Sequence, residues 1–331
     1  MPAGCGAVMM LWVGVLCFLF VGKSETAAEN AEDETPRYVE IVGGGRHVMS
    51  PPAPPPPRRP FSVLSRPPPS YPGHIPINSF EKTFLAFTSL LGSFLNPRRG
   101  DLIALAGETT STPYFLPRLL RTMQSHPTGR AILRHRPEIT PTSIPPVATL
   151  LTYPPTTLGY TYAKWLETHH LSPFTRPPVR YVPTSELAYV LLRYRQSHDF
   201  YHAITGLPAI REGEVPLKLF EFMNLGLPMT GLAAASYATL KKAERERVWD
   251  IYFPWAIKAG LECEGLINVW WERELESDVG GLRARLGLVI PPDMRALRKA
   301  QKRREREKDK EMGDAIKVDT APVPAPTSTT P

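Results

Sequence analysis

Cysteine is nearly missing from the body of this chain. Only three occur in 331 residues. Cys5 and Cys17 fall in an apolar N-terminal stretch, which leaves Cys263 alone beyond it. One thiol makes neither a disulfide framework nor a Cys-rich zinc site, so any metal in the body must be held by histidine and carboxylate. Strand-like alternation is lacking too, because apolar side chains in 70–290 recur at the helical period. Positive charge is scarce once it is located. The formal net charge is +7, but RKAQKRREREKDK at 298–310 holds eight Lys/Arg against three Asp/Glu and supplies most of it. Such a run reads as a solvated helix or an arm, with an anionic membrane surface as the second reading. No nucleic-acid footprint remains over the rest of the chain.

Charge is missing altogether from residues 3–22 (AGCGAVMMLWVGVLCFLFVG). Taken alone, that segment reads as a signal peptide or a short anchor, although a basic n-region is lacking. Acid is missing from Met49 to Phe80, a stretch that holds Arg58, Arg59, Arg66 and several serines. Arg-rich, Ser-containing and acid-free is the pattern of a mitochondrial transit peptide, so Met49 is expected to begin the working presequence. The prolines of 51–57 count against that expectation, since they interrupt an amphipathic helix.

The organisation expected is a leader and Pro-rich segment over 1–69, one helical domain over 70–295, and a charged, Pro/Thr-rich disordered tail over 296–331. About 220 residues suffice for a single core. Helices are predicted over 80–95, 114–124, 127–135, 158–169, 184–205, 215–226, 231–243, 245–260 and 261–278, and from about 293. A Pro-rich connector is expected over 137–155. In the first helix Phe80, Phe84, Phe87, Leu91 and Leu95 share a stripe. In 184–205 the stripe Leu187, Val190, Leu191 and Tyr194 continues in steps of four to His198 and His202, so both histidines point where the leucines point. Gly206-Leu207-Pro208 ends that helix. The fold class is all-α, a helical bundle.

HDFYHAITGLPAIREGE at 198–214 carries the chemistry. His198 and His202 are one turn apart and can converge on one ion. Asp199 lies about 100° round the helix from His198 and about 60° from His202. Three ionisable groups buried without partners would be costly, and a cation removes the cost. The return leg offers two carboxylates, Glu212 and Glu214. Two histidines with two carboxylates suit zinc, and also iron or manganese. The motif is not HExxH, because position 199 is Asp. The HD dipeptide is shared with metal-dependent phosphohydrolases, but their upstream His and distant Asp find no counterparts.

With H-D-x2-H-x11-E complete, the chain resembles the mitochondrial coenzyme Q biosynthesis family that binds zinc and organises the biosynthetic complex. YPGHIPINSFEK (71–82), NPRRGDLIALAGETT (96–110), RPPVRYVPTSELAYVLLRYRQSHDFYHAITGLP (176–208) and NVWWERELE (268–276) resemble it as well. The resemblance implies Zn2+ held by His198, Asp199, His202 and Glu214, and it selects Glu214 over Glu212. It implies C1-decarboxylation of a 4-hydroxy-3-methoxy-5-polyprenylbenzoate to a 2-methoxy-6-polyprenylphenol. It places the protein peripherally on the matrix side of the mitochondrial inner membrane, with other coenzyme Q biosynthesis proteins as partners. No residue is singled out as the catalytic acid or base. A polyprenyl tail needs an apolar groove or membrane contact, for which Phe220, Met223 and Leu227 are the candidates. The competing reading is a lipid-presenting scaffold whose zinc is structural.

Overall fold

The computed structural model describes residues 66–319 except 97, 98 and 175, with the backbone alone for 313–319. The apolar leader and the presequence before Arg66 lie outside the described residues. Among those described the regular structure is helical, and the one β-bridge pairs Thr157 with Asp278. None of these helices is long and apolar enough to cross a membrane. In chain order they are α1 (Ser79–Leu95), α2 (Gly100–Thr110), α3 (Phe115–Ser125), α4 (Pro127–His135), α5 (Val147–Leu150), α6 (Leu158–His169), α7 (Ser185–Thr205), α8 (Arg211–Leu225), α9 (Pro228–Ala234), α10 (Lys242–Arg247), α11 (Phe253–Glu262), α12 (Val279–Arg285) and α13 (Met294–Asp319).

The chain clusters into two compact units. One takes the residues up to Arg121 with Pro177–Leu192 and Leu227–Ala235. The other takes Thr122–Arg176, Arg193–Gly226 and the chain from Ser236.

In the first unit α1 opens with a capping box. Asn78 accepts from the Glu81 N–H (2.9 Å) while Glu81 accepts from the Asn78 N–H (3.0 Å). The stripe Phe80, Phe84, Phe87, Leu91 and Leu95 is present and faces outward, all five side chains being exposed. The polar side of α1 faces inward: Ser89 is buried, and Lys82 donates to the Thr112 carbonyl (3.0 Å) and hydroxyl (2.6 Å). A Cβ on Gly92 would stand 2.7 Å from Leu102 Cδ1, so α1 and α2 pack closely. Buried Glu108, on α2, accepts from the N–H groups of Arg180 (2.8 Å) and Tyr181 (2.7 Å) and pins the extended segment before α7.

The second unit holds the C-terminal two-thirds of α7, buried on almost every side from Arg193 to Thr205. A helix apolar in surroundings but polar in sequence needs a partner for each polar group. Arg193, fully buried, donates to both Glu272 oxygens (2.6 and 2.9 Å) and to the Val269 carbonyl (3.2 Å). Gln196 accepts from the Ile139 N–H at 3.1 Å. On the apolar side Tyr162, Phe200 and Trp271 stack in series, with ring centroids 3.9 and 5.2 Å apart. Phe220 is buried against Trp255, their rings stacked at 5.5 Å.

Four expectations are corrected here. Residues 261–278 are not a helix. The chain leaves α11 at Cys263 in an extended conformation and makes 3-10 turns at Leu266–Asn268 and Trp271–Arg273. Side chains take the place of helical hydrogen bonds there. Asn224 donates to the carbonyls of Gly260 (3.2 Å) and Glu264 (3.2 Å) and accepts from the Leu266 N–H (2.9 Å). The helix expected at 231–243 is α9 followed by a 3-10 segment, Ala235–Thr239, and that at 245–260 is α10 and α11 joined by a π-helical turn, Val248–Tyr252, just before Pro254. The tail expected from 296 is helical as far as Asp319, with Gln301 donating to Glu305 one turn on (3.0 Å).

Removing one partner of a buried ion pair strands the other, at about 3–5 kcal/mol. Arg193→Met is therefore expected to lower the unfolding free energy by about that amount in urea titrations. Adding Glu272→Met should recover most of the loss. If Arg193→Met is neutral, the pair does not hold α7.

Candidate metal centre

α7 ends at Gly206, whose φ of +77° is a left-handed conformation favoured by glycine, and the Gly206 N–H closes on the His202 carbonyl at 2.8 Å. The chain then doubles back at once. α8 starts so close to this turn that a Cβ on Gly213 would stand 2.2 Å from the Pro208 carbonyl oxygen. That approach brings Glu214 against α7.

His198, His202 and Glu214 have ligand atoms all within 4.8 Å of one another. His202 Nε2 lies 3.0 Å from Glu214 Oε1, and His198 Nε2 lies 3.6 Å from Glu214 Oε2. The other ring nitrogens face acceptors. His202 Nδ1 is 3.0 Å from the Leu207 carbonyl, and His198 Nδ1 is 2.5 Å from Glu221 Oε1. A carbonyl only accepts, so the His202 Nδ1 carries its proton; at His198 the shorter contact, to the Glu221 carboxylate, assigns the proton to Nδ1 over the Lys218 ammonium 3.0 Å away. In neutral rings both Nε2 lone pairs then point at the Glu214 carboxylate. Three electron-pair donors facing one another in a buried space require a shared proton or a cation. A divalent ion fits this donor set, with His198, His202 and Glu214 as its holders.

Without an ion the electrostatics favour the shared proton, that is, a protonated imidazole against the carboxylate. Burial alone would raise the Glu214 carboxyl, yet the His202 and His198 imidazoles hold it well below the usual carboxylate range. Burial and the Lys218 ammonium push His198 down, but Glu221 and Glu214 outweigh them and its pKa is raised. Glu221 is likewise raised by burial and lowered more by Lys218 and His198, to about 2. Glu214 is the accessible member, with 37% of its side chain exposed, while His202 has none.

The other candidates go elsewhere. Asp199, buried, accepts from Arg176 at 2.5 Å and is not part of the three-residue cluster. Glu212 is buried in a pair with Arg247 (2.6 and 3.0 Å), with Arg298 at 3.6 Å. Phe220 and Leu227 are buried in the cores of their respective units. Met223 is half-buried, and its Cβ lies where a Cβ on Gly260 would be 2.7 Å away.

Sequence reasoning missed several participants. Trp165 donates to the Leu207 carbonyl (3.0 Å) and stacks on the His202 ring at 4.8 Å. It also lines a cleft of about 460 Å³ with Tyr160, His169, Ile290, Met294 and Arg295. Lys218 and Glu221 were missed as well, although their spacing from Glu214, four and seven residues, puts all three on one face of α8.

The fold and the cluster define an all-α protein with a largely buried His2Glu cluster whose donor set fits a divalent ion. The chain belongs to the family described as Coenzyme Q (ubiquinone) biosynthesis protein Coq4, which it matches over residues 71–292. It is 56% identical over 253 residues to the ubiquinone biosynthesis protein coq4, mitochondrial, of Pyrenophora tritici-repentis, covering 76% of this chain and 87% of the relative. It is 57% identical over 256 residues to the COQ4 protein, also named mitochondrial, of Podospora anserina, covering 76% and 83%. The crystal structure of a Nostoc punctiforme chain named for ubiquinone biosynthesis aligns with a TM-score of 0.52 at 19% identity, over 63% of this chain and 98% of that one. At that identity it speaks for the fold alone.

Two outcomes are expected. Gly213→Ala must push α8 off the turn, so it should both lower stability and weaken divalent-ion binding, read by calorimetric titration; unchanged binding would mean that the close approach does not place Glu214. Glu221 has a folded pKa of about 2 against an ordinary 4.5. Its stabilising contribution is therefore present above about pH 4.5 and lost as pH falls toward 2. In ion-free protein Glu221→Gln should flatten that part of the stability–pH curve, and an unaltered curve would refute the assignment.

Proposed function

We propose that this chain is a zinc-dependent decarboxylase of ubiquinone biosynthesis. It removes the C1 carboxylate of 4-hydroxy-3-methoxy-5-polyprenylbenzoate, giving 2-methoxy-6-polyprenylphenol. It works at the matrix face of the mitochondrial inner membrane, alongside other coenzyme Q biosynthesis proteins.

The observation that carries this reading is the ligand count. Asp199 is drawn to Arg176, so the cluster offers two histidines and one carboxylate. Three protein ligands leave a fourth position of a tetrahedral ion exchangeable, as catalytic zinc sites do, whereas structural sites are closed by four. The charge balance supports the same reading. Asp199 is neutralised by Arg176, Glu221 by Lys218 and Glu212 by Arg247. Of these four acids, Glu214 is the one whose recorded partners are histidines and not Lys or Arg. A dication there keeps one net positive charge and favours an anionic oxygen ligand such as a carboxylate or phenolate.

Bound zinc supplies Lewis acidity that draws an anionic substrate oxygen and fixes its place. The reaction is a proton-for-carboxylate exchange: C1 gains a proton, the C1–carboxylate bond breaks, and its electron pair restores the aromatic ring as carbon dioxide leaves. The para hydroxyl feeds electron density to C1 and favours that protonation. The cleft lined by Trp165, the ring that stacks on His202, offers that aromatic wall and a cation in Arg295 for an aryl acid.

In the scaffold alternative the zinc is structural, and Asp199 would have to leave Arg176 to close the set. The test is carbon dioxide release from a short-chain 4-hydroxy-3-methoxy-5-prenylbenzoate by zinc-loaded full chain. Release is expected, and His202→Ala and Glu214→Ala should lose both the ion and the activity. Stoichiometric zinc in folded protein without any release would overturn the enzyme reading in favour of the scaffold.

A further inference from the structure

We infer that Glu221 is a positioning residue for the ion. Held by Lys218 and Tyr194, it fixes the His198 ring and sets how tightly the site binds. The inference rests on the metal reading above and concerns residues outside the H-D-x2-H-x11-E motif.

Two helical stripes build the contact. On α7, Tyr194, His198 and His202 follow one another in steps of four. On α8, Glu214, Lys218 and Glu221 follow in steps of four and three. Both spacings keep three side chains on one face. The two faces meet as a ladder of polar contacts. At one end His202 meets Glu214 (3.0 Å). In the middle His198 stands between Glu214, through Nε2 (3.6 Å), and Glu221, through Nδ1 (2.5 Å). At the other end Tyr194 donates to Glu221 Oε2 at 2.7 Å. Lys218 bridges the rungs, 2.8 Å from Glu221 Oε2, 3.0 Å from His198 Nδ1 and 3.3 Å from the Tyr194 hydroxyl, to which it donates; the shorter Glu221 contact, 2.5 Å, is the one that takes the Nδ1 proton.

Glu221 and Glu214 are both carboxylates on α8 facing the same imidazole, but they have different work. Glu214 is exposed over a third of its side chain and faces Nε2, the side left bare. Glu221 has no exposure at all. Its Oε1 is taken by His198, and its Oε2 is shared by Lys218 and Tyr194, so neither oxygen is available to an ion. A fully buried carboxylate is expensive, and an apolar residue of similar volume would usually serve packing as well or better. What an apolar residue cannot do is hold the Nδ1 proton. Without an acceptor there the imidazole can turn or carry its proton on Nε2, and it then offers no lone pair toward Glu214 and His202. Carboxylate–histidine pairs behind a metal ligand fix tautomer and ring orientation, and losing one typically costs about 10–100-fold in metal affinity.

The experiment is a competition titration of Zn2+ against a chelator of known affinity, on the ion-free full chain, with Co2+ absorption as a second readout of ligand geometry. Wild type, Glu221→Ala, Glu221→Gln and Tyr194→Phe are compared, with folding checked by circular dichroism. Glu221→Ala is expected to weaken Zn2+ binding about 10–100-fold and to alter the Co2+ d–d bands. Glu221→Gln keeps an acceptor and nearly the same volume, so a smaller loss is expected. Tyr194→Phe, which leaves the carboxylate in place, should lose least. If Glu221→Ala does not fold, Glu221→Gln decides: reduced affinity in a folded variant supports the role. Wild-type affinity and an unchanged Co2+ spectrum in folded Glu221 variants would overturn the inference while leaving the metal site standing. Failure of the wild type itself to bind either ion would overturn the metal reading and this inference together.

Discussion

Burying α7 takes its polar side chains out of water, and most of the second unit answers that one requirement. Each buried donor or acceptor must find a partner or cost a few kcal/mol. Arg193 takes Glu272 and a backbone carbonyl, Gln196 takes a backbone N–H, and Asp199 takes Arg176. Tyr194, His198 and His202 take the stripe that α8 lays against them. The candidate centre is thus the part of a buried polar seam where pairing alone leaves two bare imidazole nitrogens against one carboxylate.

The acids around α7 show how the seam becomes selective. Four carboxylates lie within a short stretch of sequence or opposite it: Asp199, Glu212, Glu214 and Glu221. Three are matched by Arg or Lys at salt-bridge distance, and Glu214 faces histidines alone. The same pairing that makes burial tolerable therefore decides which acid stays available to an ion. Rigid surroundings keep that choice in place. The stacked rings of Tyr162, Phe200 and Trp271 fill one side of α7, and the Trp165 ring lies flat on His202. Such packing holds the imidazoles within the small tolerance that a metal site needs.

Much was legible in the sequence because it depends on local rules. The helical period, the glycine stop at 206 and the prolines between segments gave α4, α6 and α7 nearly to the residue. The i, i+4 histidines pointed to one ion because helical geometry makes them neighbours. Where side chains replaced backbone partners, local rules failed. Residues 261–278 have an apolar helical pattern, but Asn224 and Arg193 draw off their carbonyls and the chain runs as short turns. α2 gives a weak local signal: its N-cap, Arg99, makes no capping bond and Gly107 interrupts it, for a reason that lies in Met229 packed at that point.

The sequence by itself determined the all-α class, the two histidines on one face of one helix, and the need for carboxylate rather than thiol as their companion. These follow from periodicity and composition, which act within a few turns of chain. Only the tertiary structure decided which carboxylate that is. Glu212 and Glu214 are two residues apart, about 200° round the same helix, so the packing of α8 on the turn at Gly206–Pro208 sends one to Arg247 and the other to the histidines. It also drew Asp199 aside to Arg176 and brought Glu221 behind His198. Those assignments turn on distances between side chains 12 to 35 residues apart in sequence, and no local pattern carries such distances.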